Sequence, residues 1–437
     1  MFEEKIAQLQ RYAARGGIPD SVLRELGEPK DICDTKFRVW TSSGLEVFRV
    51  LGVFNCNPYS TGARPFKGGL RFHPNVSLEL LKVLALDMTE KCAITQLPFG
   101  GAKFGIPMNP QNYGPGDLRE IVQKMTERLL AKNMLSPDIY VPGPDMGTDP
   151  TVMFWIYNRV AELNQLVKLP NVAAVVTGKP LDYDGCPGRD DATAHGLLML
   201  TAAFIRQSAH FSGNHPITIA IQGFGNVGMN IAKLLLANAN PEFFRFRVVA
   251  ISDVQGGLYN SHGLSLADIF SYYEKHRTFA GYPQKNADPI SNAELLLLPV
   301  HILIPAAIEH QITAANAKDL KSKMIVEAAN EAITPEAQEI VDDDGRITIP
   351  GIIANSGGVA VSYLEWRRNR GERRHRVDFT EDLAWVHQEL RKIMEAALAR
   401  VLAAKAEHST SLVESAHIVA LETITQQLRL KHTNGHY

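Results

Sequence analysis

The chain has 437 residues, enough for about two or three domains and a large apolar core. Hydrophobic residues make up 45% and charged residues 21%, the balance of a soluble globular protein rather than a disordered or fibrous one. A formal net charge of −2 gives no electrostatic reason to expect nucleic acid or an anionic membrane as a partner.

Residues 1–5 carry acids and lack the basic and apolar regions of a secretion signal. Helix followed by strand is predicted over the first sixty residues. Lys36–Phe37–Arg38–Val39–Trp40 and Glu46–Val47–Phe48–Arg49–Val50 alternate as half-buried strands do, with Gly44 between them. Beyond an Asn/Pro/Ser/Gly-rich loop over 55–65 lies Phe66–Lys67–Gly68–Gly69–Leu70–Arg71–Phe72–His73–Pro74, a lysine set against paired glycines. Ser77 is placed to cap a helix reaching about Ala93. Leu81, Leu84 and Met88 mark its buried face, and Lys91 falls close to that face. Lys91 either carries its stem past apolar neighbours or points into a site.

Leu97–Pro98–Phe99–Gly100–Gly101–Ala102–Lys103–Phe104–Gly105 then surrounds one lysine with three glycines. This reads as a tight turn, and Lys103 is either a surface lysine or one held for altered proton affinity. A helical stretch over 118–135 leads to a short strand and a turn, Pro144–Asp145–Met146–Gly147–Thr148–Asp149, bearing two carboxylates. Asp149 is a candidate N-cap for the helix through Trp155. A Gly/Pro/Asp-rich segment over 183–191 marks the expected domain boundary, giving domains of 1–185 and 186–409.

From Pro216 strands and helices alternate, with strands expected near 217–221, 246–251, 302–306, 324–328 and 347–353. That alternation predicts a parallel, doubly wound sheet. The first of these strands runs into Gly223–Phe224–Gly225–Asn226–Val227–Gly228 and a helix, and Asp253 ends the next strand, 25 residues past the last glycine. In that context the glycine pattern is a dinucleotide site. Gly223 makes the turn, Gly225 admits the pyrophosphate, Gly228 lets helix and strand pack, and Asp253 takes the ribose hydroxyls. With Val254 and Gln255 uncharged, Asp253 favours NAD over NADP, with NADP possible through cations from elsewhere. The apolar run over 295–308 is too short for a membrane span and is broken by Pro299, His301 and Pro305. Basic residues cluster over 367–376, read as a solvated helix end or a subunit contact. The remainder, 378–428, is helical. The four cysteines (Cys33, Cys56, Cys92, Cys186) form no C-x-x-C pair, so free thiols in a reducing, cytoplasmic setting are expected and no metal site.

The stretches 67–74, 97–103, 144–148, Val176–Thr177–Gly178–Lys179–Pro180, 223–228 and Asn355–Ser356–Gly357–Gly358–Val359 together resemble the glutamate/leucine/phenylalanine/valine dehydrogenase superfamily, in order and over nearly the whole chain. The resemblance implies an N-terminal α/β substrate and oligomerisation domain, a Rossmann-type NAD(P) domain and a cleft between them. It further implies a last helix, about 410–437, that returns to the first domain, and a homo-hexamer. By position, Lys103 matches the catalytic lysine and Asp145 the aspartate that carries protons to and from the amino nitrogen. Lys91 matches the lysine for the α-carboxylate, with Met88 on the same helix beside the substrate. Thr193 and Asn330 fall at the nicotinamide end of the cofactor, which Gly223, Gly225, Asn226, Val227, Gly228 and Asp253 hold. Lys67 and Ser362 stand where the glutamate enzymes bind the side-chain carboxylate and where the branched-chain and aromatic enzymes are apolar. The implied reaction is reversible oxidative deamination of L-glutamate to 2-oxoglutarate and ammonium. The alternatives are another L-amino-acid dehydrogenase or a catalytically weak nucleotide-binding paralogue.

Three lysines sharing a pocket repel one another, so at least one is expected to lose its proton easily. A largely neutral Lys103 would then take a proton from the attacking water. Four positions depart from the family pattern: Phe104, Glu90, His195 and His310. A ring at Phe104 is expected to narrow the pocket or shift the loop, and Glu90 to hold Lys91 protonated if the two side chains meet.

Overall fold

The computed structural model describes residues 1–59, 65–208, 211, 215–237, 243, 245–372 and 379–433. The chain forms two compact units. The first comprises Met1–Asp190, Val359–Gln388 and His417–Tyr437, the second Asp191–Gly358 and Glu389–Ala416. Among the described residues, no helix is long and apolar enough to cross a membrane.

The first unit is built on a sheet of five strands in the order β1-β2-β4-β3-β5. These are β1 (Asp31–Thr41), β2 (Gly44–Phe54), β3 (Phe66–Phe72), β4 (Gly100–Ile106) and β5 (Tyr140–Pro144). β1 and β2 are the two half-buried strands that the sequence indicated, and they pair as an antiparallel hairpin turning at Thr41 and Gly44. Ser77 caps the Leu78–Ile94 helix, its hydroxyl accepting from Leu80 N at 3.2 Å. Asp149 caps Pro150–Val167 by accepting from Val152 N at 2.9 Å. Basic residues 367, 368 and 370 are ion-paired within this unit, to Glu372, Asp382 and Asp138; residues 373–376 of that cluster lie outside the described residues.

The stretch around Lys103 is not a turn. It is β4, fully buried and central, paired with β2 on one side and β3 on the other. Its glycines serve close packing: a Cβ on Gly101 would lie 2.2 Å from Thr89 N of the Leu78–Ile94 helix. Strand alternation sends Lys103 and Phe104 to opposite faces. Phe104 therefore does not narrow the lysine's pocket. Its ring stacks on Tyr140 at 4.3 Å, meets Phe54 edge-on at 5.2 Å, and covers Gly52, where a Cβ would sit 2.3 Å from the ring. Phe104→Ala would empty this fully buried position and is expected to cost about 3–5 kcal/mol of stability. Urea unfolding tests it; an unchanged midpoint would show that the ring is not part of the core.

The second unit holds a sheet in the order β12-β11-β10-β6-β7-β8-β9. The strands are β6 (Ile217–Gln222), β7 (Phe246–Ser252), β8 (Gly257–Tyr259), β9 (Asp288–Ile290), β10 (Ile302–Pro305), β11 (Met324–Val326) and β12 (Ile347–Ile349). The five from β12 to β7 run parallel, and β8 and β9 add an antiparallel edge. The order reverses at β6, which has β7 on one flank and β10 on the other. In an open parallel sheet such a switch point leaves a crevice at the strand ends, where ligands bind.

Candidate active site

In the first unit four cationic side chains come from three neighbouring elements: Lys67 and Arg71 from β3, Lys103 from β4, and Lys91 from the Leu78–Ile94 helix. All four are buried. Asp145, at the end of β5, meets two of them: its Oδ2 lies 2.7 Å from Lys103 Nζ and 3.0 Å from Arg71 Nε. Burial alone would raise the Asp145 carboxyl, but the Lys103 and Arg71 charges outweigh it and hold the group well below the usual carboxylate range. Thr148 fixes the turn by accepting from Asp145 N and donating to Leu70 O. Arg71 was visible in its sequence motif, but nothing there gave it a role.

The easier proton loss expected of the lysines falls on Lys67 and Lys91, with burial rather than mutual repulsion as its main cause. Burial pushes Lys67 down to about 7, helped by Arg189 and Lys103 and opposed by Glu365 and Cys92. Burial takes Lys91 to about 8, with Asp87 and Asp145 opposing the shift and Lys103 and Lys5 adding to it. Lys103 is instead ion-paired with Asp145. Met88 is half-buried, one turn before Lys91 on the same helix. Glu90 does not approach Lys91: its Oε1 lies 2.6 Å from His417 Nδ1 on the Leu412–Thr433 helix, and Tyr12 stacks on that imidazole at 5.1 Å.

Thr177 lies beside Lys67, and Arg189 acts on Lys67 through its charge. Ser362, on the Gly357–Asn369 helix, accepts from Arg189 Nε at 3.0 Å. Thr177 is buried and its hydroxyl has no hydrogen-bond partner among the described residues. Thr177 Oγ1 and Lys67 Nζ lie 3.2 and 2.9 Å from where a Cβ on Gly143 would stand, so the hydroxyl and the ammonium share one small space that the glycine leaves open. Thr177 and Arg189 were missed in the sequence, although Thr177 stands inside a motif that had been singled out.

In the second unit the glycine-rich segment makes the turn at Gly223 and the close packing at Gly228 that the sequence suggested. Gly223 turns at φ +98° after β6, and a Cβ on Gly228 would meet Gly223 O at 2.0 Å. Gly225 has open space before the Asn226–Leu236 helix, so backbone amides at that N-terminus are accessible to an anion. Asn226 is exposed and Val227 half-buried. Asp253 is nearly buried, its oxygens accepting from Gln255 N at 2.7 Å and Phe279 N at 2.8 Å. A carboxylate has about four acceptor positions, so about two remain for further donors. Asn330 accepts from Asn355 Nδ2 at 3.0 Å, Thr193 is half-buried near the start of the Ala192–Ser208 helix, and His195 is buried on that helix. His310, in the left-handed region, donates its backbone N–H to Glu331 O.

Two family profiles match the chain. Glutamate/Leucine/Phenylalanine/Valine dehydrogenase covers residues 185–431, and the Glu/Leu/Phe/Val dehydrogenase dimerisation domain covers residues 29–162. The chain belongs to this family. It is 34% identical to the glutamate dehydrogenase of Thermotoga maritima over 97% of this chain and 96% of that one. It is 33% identical to the NADP-specific glutamate dehydrogenase of Synechocystis sp., over 100% of this chain and 98% of the relative. Among solved structures, the hetero-hexameric glutamate dehydrogenase from Thermus thermophilus in its Leu-bound form superposes with a TM-score of 0.87 at 28% identity, covering 98% and 96% of the two chains. The chain is thus an NAD(P)-dependent amino-acid dehydrogenase of α/β architecture with a Rossmann-like sheet.

Proposed function

We propose that this family member is a glutamate dehydrogenase, converting L-glutamate reversibly to 2-oxoglutarate and ammonium. One observation carries the choice of substrate: the buried cations of the first unit outnumber what a monocarboxylate could satisfy. Lys103 and Arg71 are matched by Asp145. Lys91 suits an α-carboxylate, which leaves Lys67, Arg189, Ser362 and the orphan Thr177 hydroxyl together. An apolar side chain there would strip these groups of water without replacing it, at a cost of about 1–3 kcal/mol for each unpaired group. A second carboxylate supplies what they lack.

The open approach at Gly225 and the amides of the Asn226–Leu236 helix fit a dinucleotide's pyrophosphate. When bound, NAD(P) supplies the hydride acceptor. Lys91 and Lys67 hold the two carboxylates, and Asp145, kept ionised, receives the substrate's amino group as a hydrogen-bond acceptor. After Cα has been oxidised to the iminium, Lys103 passes its proton to Asp145 across their contact and, now neutral, takes a proton from the water attacking that carbon; after a second transfer to Asp145 it takes the carbinol hydroxyl proton as the C–N bond breaks. Each proton that Asp145 receives from Lys103 over the 2.7 Å contact goes to the nitrogen, first on the carbinolamine and then on the departing ammonia, so ammonium leaves and the pair returns to its starting charges.

Following NADH absorbance with glutamate, norvaline, leucine, valine and phenylalanine tests this reading. Glutamate is expected to be used best by at least tenfold in kcat/KM; a preferred apolar substrate would overturn it. The hetero-hexameric Thermus thermophilus neighbour supports an oligomer, and we read this chain as a homo-hexamer in the cytoplasm. With Asp253 fixed by two backbone amides and Val254 exposed, a 2′-phosphate would meet a carboxylate, so kcat/KM is expected to be higher with NAD than with NADP. Equal or better use of NADP would remove that role from Asp253.

A further inference from the structure

Next to the Lys67 pocket lies an ion pair that the reaction itself does not use. Lys179 Nζ stands 2.9 Å from Glu365 Oε1, with side chains 0% and 1% exposed. Glu365 Oε2 also accepts from Gly178 N at 2.8 Å, Oε1 accepts from Lys179 N at 3.4 Å, and Lys179 Nζ donates onward to Val176 O at 3.0 Å. A buried ion pair is seldom more stabilising than a well-packed apolar pair, so stability gives no reason for this one. Its location does. Glu365 lies one turn after Ser362 on the Gly357–Asn369 helix, and the amides it holds directly follow Thr177.

We propose that Glu365 is a positioning residue for recognition of the distal carboxylate. By tying the Thr177 turn to the helix that carries Ser362, it holds the Thr177 hydroxyl beside Lys67 and places a negative charge that favours the Lys67 ammonium. Lys67 faces Arg189 and Lys103 as cations and Glu365 and Cys92 as acidic groups. Of these, Glu365 alone combines a charge that favours the Lys67 ammonium with bonds to the turn carrying Thr177. The inference rests on the glutamate reading, and it makes selectivity depend on a residue that need not touch the substrate.

The test compares kcat/KM for glutamate and for norvaline, which lacks the distal carboxylate, across pH in the wild type and in Glu365→Gln. Equilibrium binding of glutarate is measured alongside. The variant is expected to lose about 10- to 100-fold for glutamate, mostly in KM, with norvaline and the KM for NAD little changed. Glutarate binding should weaken in parallel. Losing the Glu365 charge lowers the proton affinity of Lys67, so the alkaline fall in glutamate selectivity is expected to move to lower pH. Equal losses for the two substrates with an unmoved pH limb would reduce Glu365 to a structural role and overturn the proposal. A wild type that does not prefer glutamate over norvaline would instead sink the glutamate reading itself. Should Glu365→Gln fail to fold, Lys179→Met/Glu365→Gln removes both charges and leaves a carbonyl for Gly178 N. The same lost selectivity is expected of it, with a smaller acid shift of the limb because the Lys179 cation goes too, and unchanged selectivity counts against the proposal in the same way.

Discussion

Replacing Lys103 by alanine is expected to lower kcat by about 10³-fold or more, the upper part of the range for a positioned acid–base group, while NAD binding survives. The lysine comes from the middle of β4, held between β2 and β3, and its Nζ has Asp145 Oδ2 at 2.7 Å. Alanine removes the base and leaves Asp145 with Arg71 as its remaining ion-pair partner of the two. Arginine separates the two consequences. It preserves a cation beside Asp145 but does not give up its proton in a protein, so Lys103→Arg should be as inactive as alanine if Lys103 works as a base. A Lys103→Arg enzyme that kept more than a tenth of its turnover would show that the position needs only positive charge. Small amines added to Lys103→Ala should restore part of the rate, which a purely structural defect would not allow. NAD binding, followed by fluorescence and proposed to lie at Gly223–Gly228 and Asp253, should be unchanged.

The geometry of the glycine-rich loop was legible because everything it needs is local. A strand, three glycines at fixed spacing and a helix start are contained in residues 217–236, and only Asp253 lies further on. Caps were legible for the same reason: Ser77 and Asp149 each bond to a backbone amide three residues ahead. The Lys103 stretch was misread because glycines in a row usually signal a turn, whereas here they admit a helix backbone against a buried strand. Phe104 raised a concern that depended on which face of the sheet it occupied, and that is decided by pairing with β2 and β3. Gly52, the residue that makes room for the ring, lies in a different strand, and no local pattern links the two. Glu90 and His417 are 327 positions apart, Glu365 and Gly178 187. Such partners leave no periodic trace in one sequence, so the lysines could be named from motifs while the groups that tune them could not. Arg189 was especially hard to see, lying in a segment whose composition spoke of a domain boundary.

Lys67→Leu is expected to remove about 2–5 kcal/mol of substrate recognition, roughly a 30- to 5,000-fold fall in kcat/KM for glutamate. The loss combines the missing ammonium with a substrate carboxylate left partly unpaired in a buried space. The change should not create an efficient leucine or valine enzyme, because Arg189, Ser362 and Thr177 stay in the pocket and an apolar side chain would desolvate them. Adding Ser362→Val recovers little while the guanidinium remains. The pH dependence carries the sharper signature. Burial lowers Lys67 to about 7, so the charged form that binds a carboxylate is present below that pH and lost above it. In the wild type the ratio of kcat/KM for glutamate to that for norvaline should therefore fall as pH rises through about 7, at most tenfold per pH unit. Taking the ratio cancels Lys91 and Lys103, which act on both substrates alike. With leucine at position 67 the ratio should be low at every pH and the limb should vanish. A limb that persists in Lys67→Leu would move the titration to another group and leave the distal carboxylate to Arg189 alone.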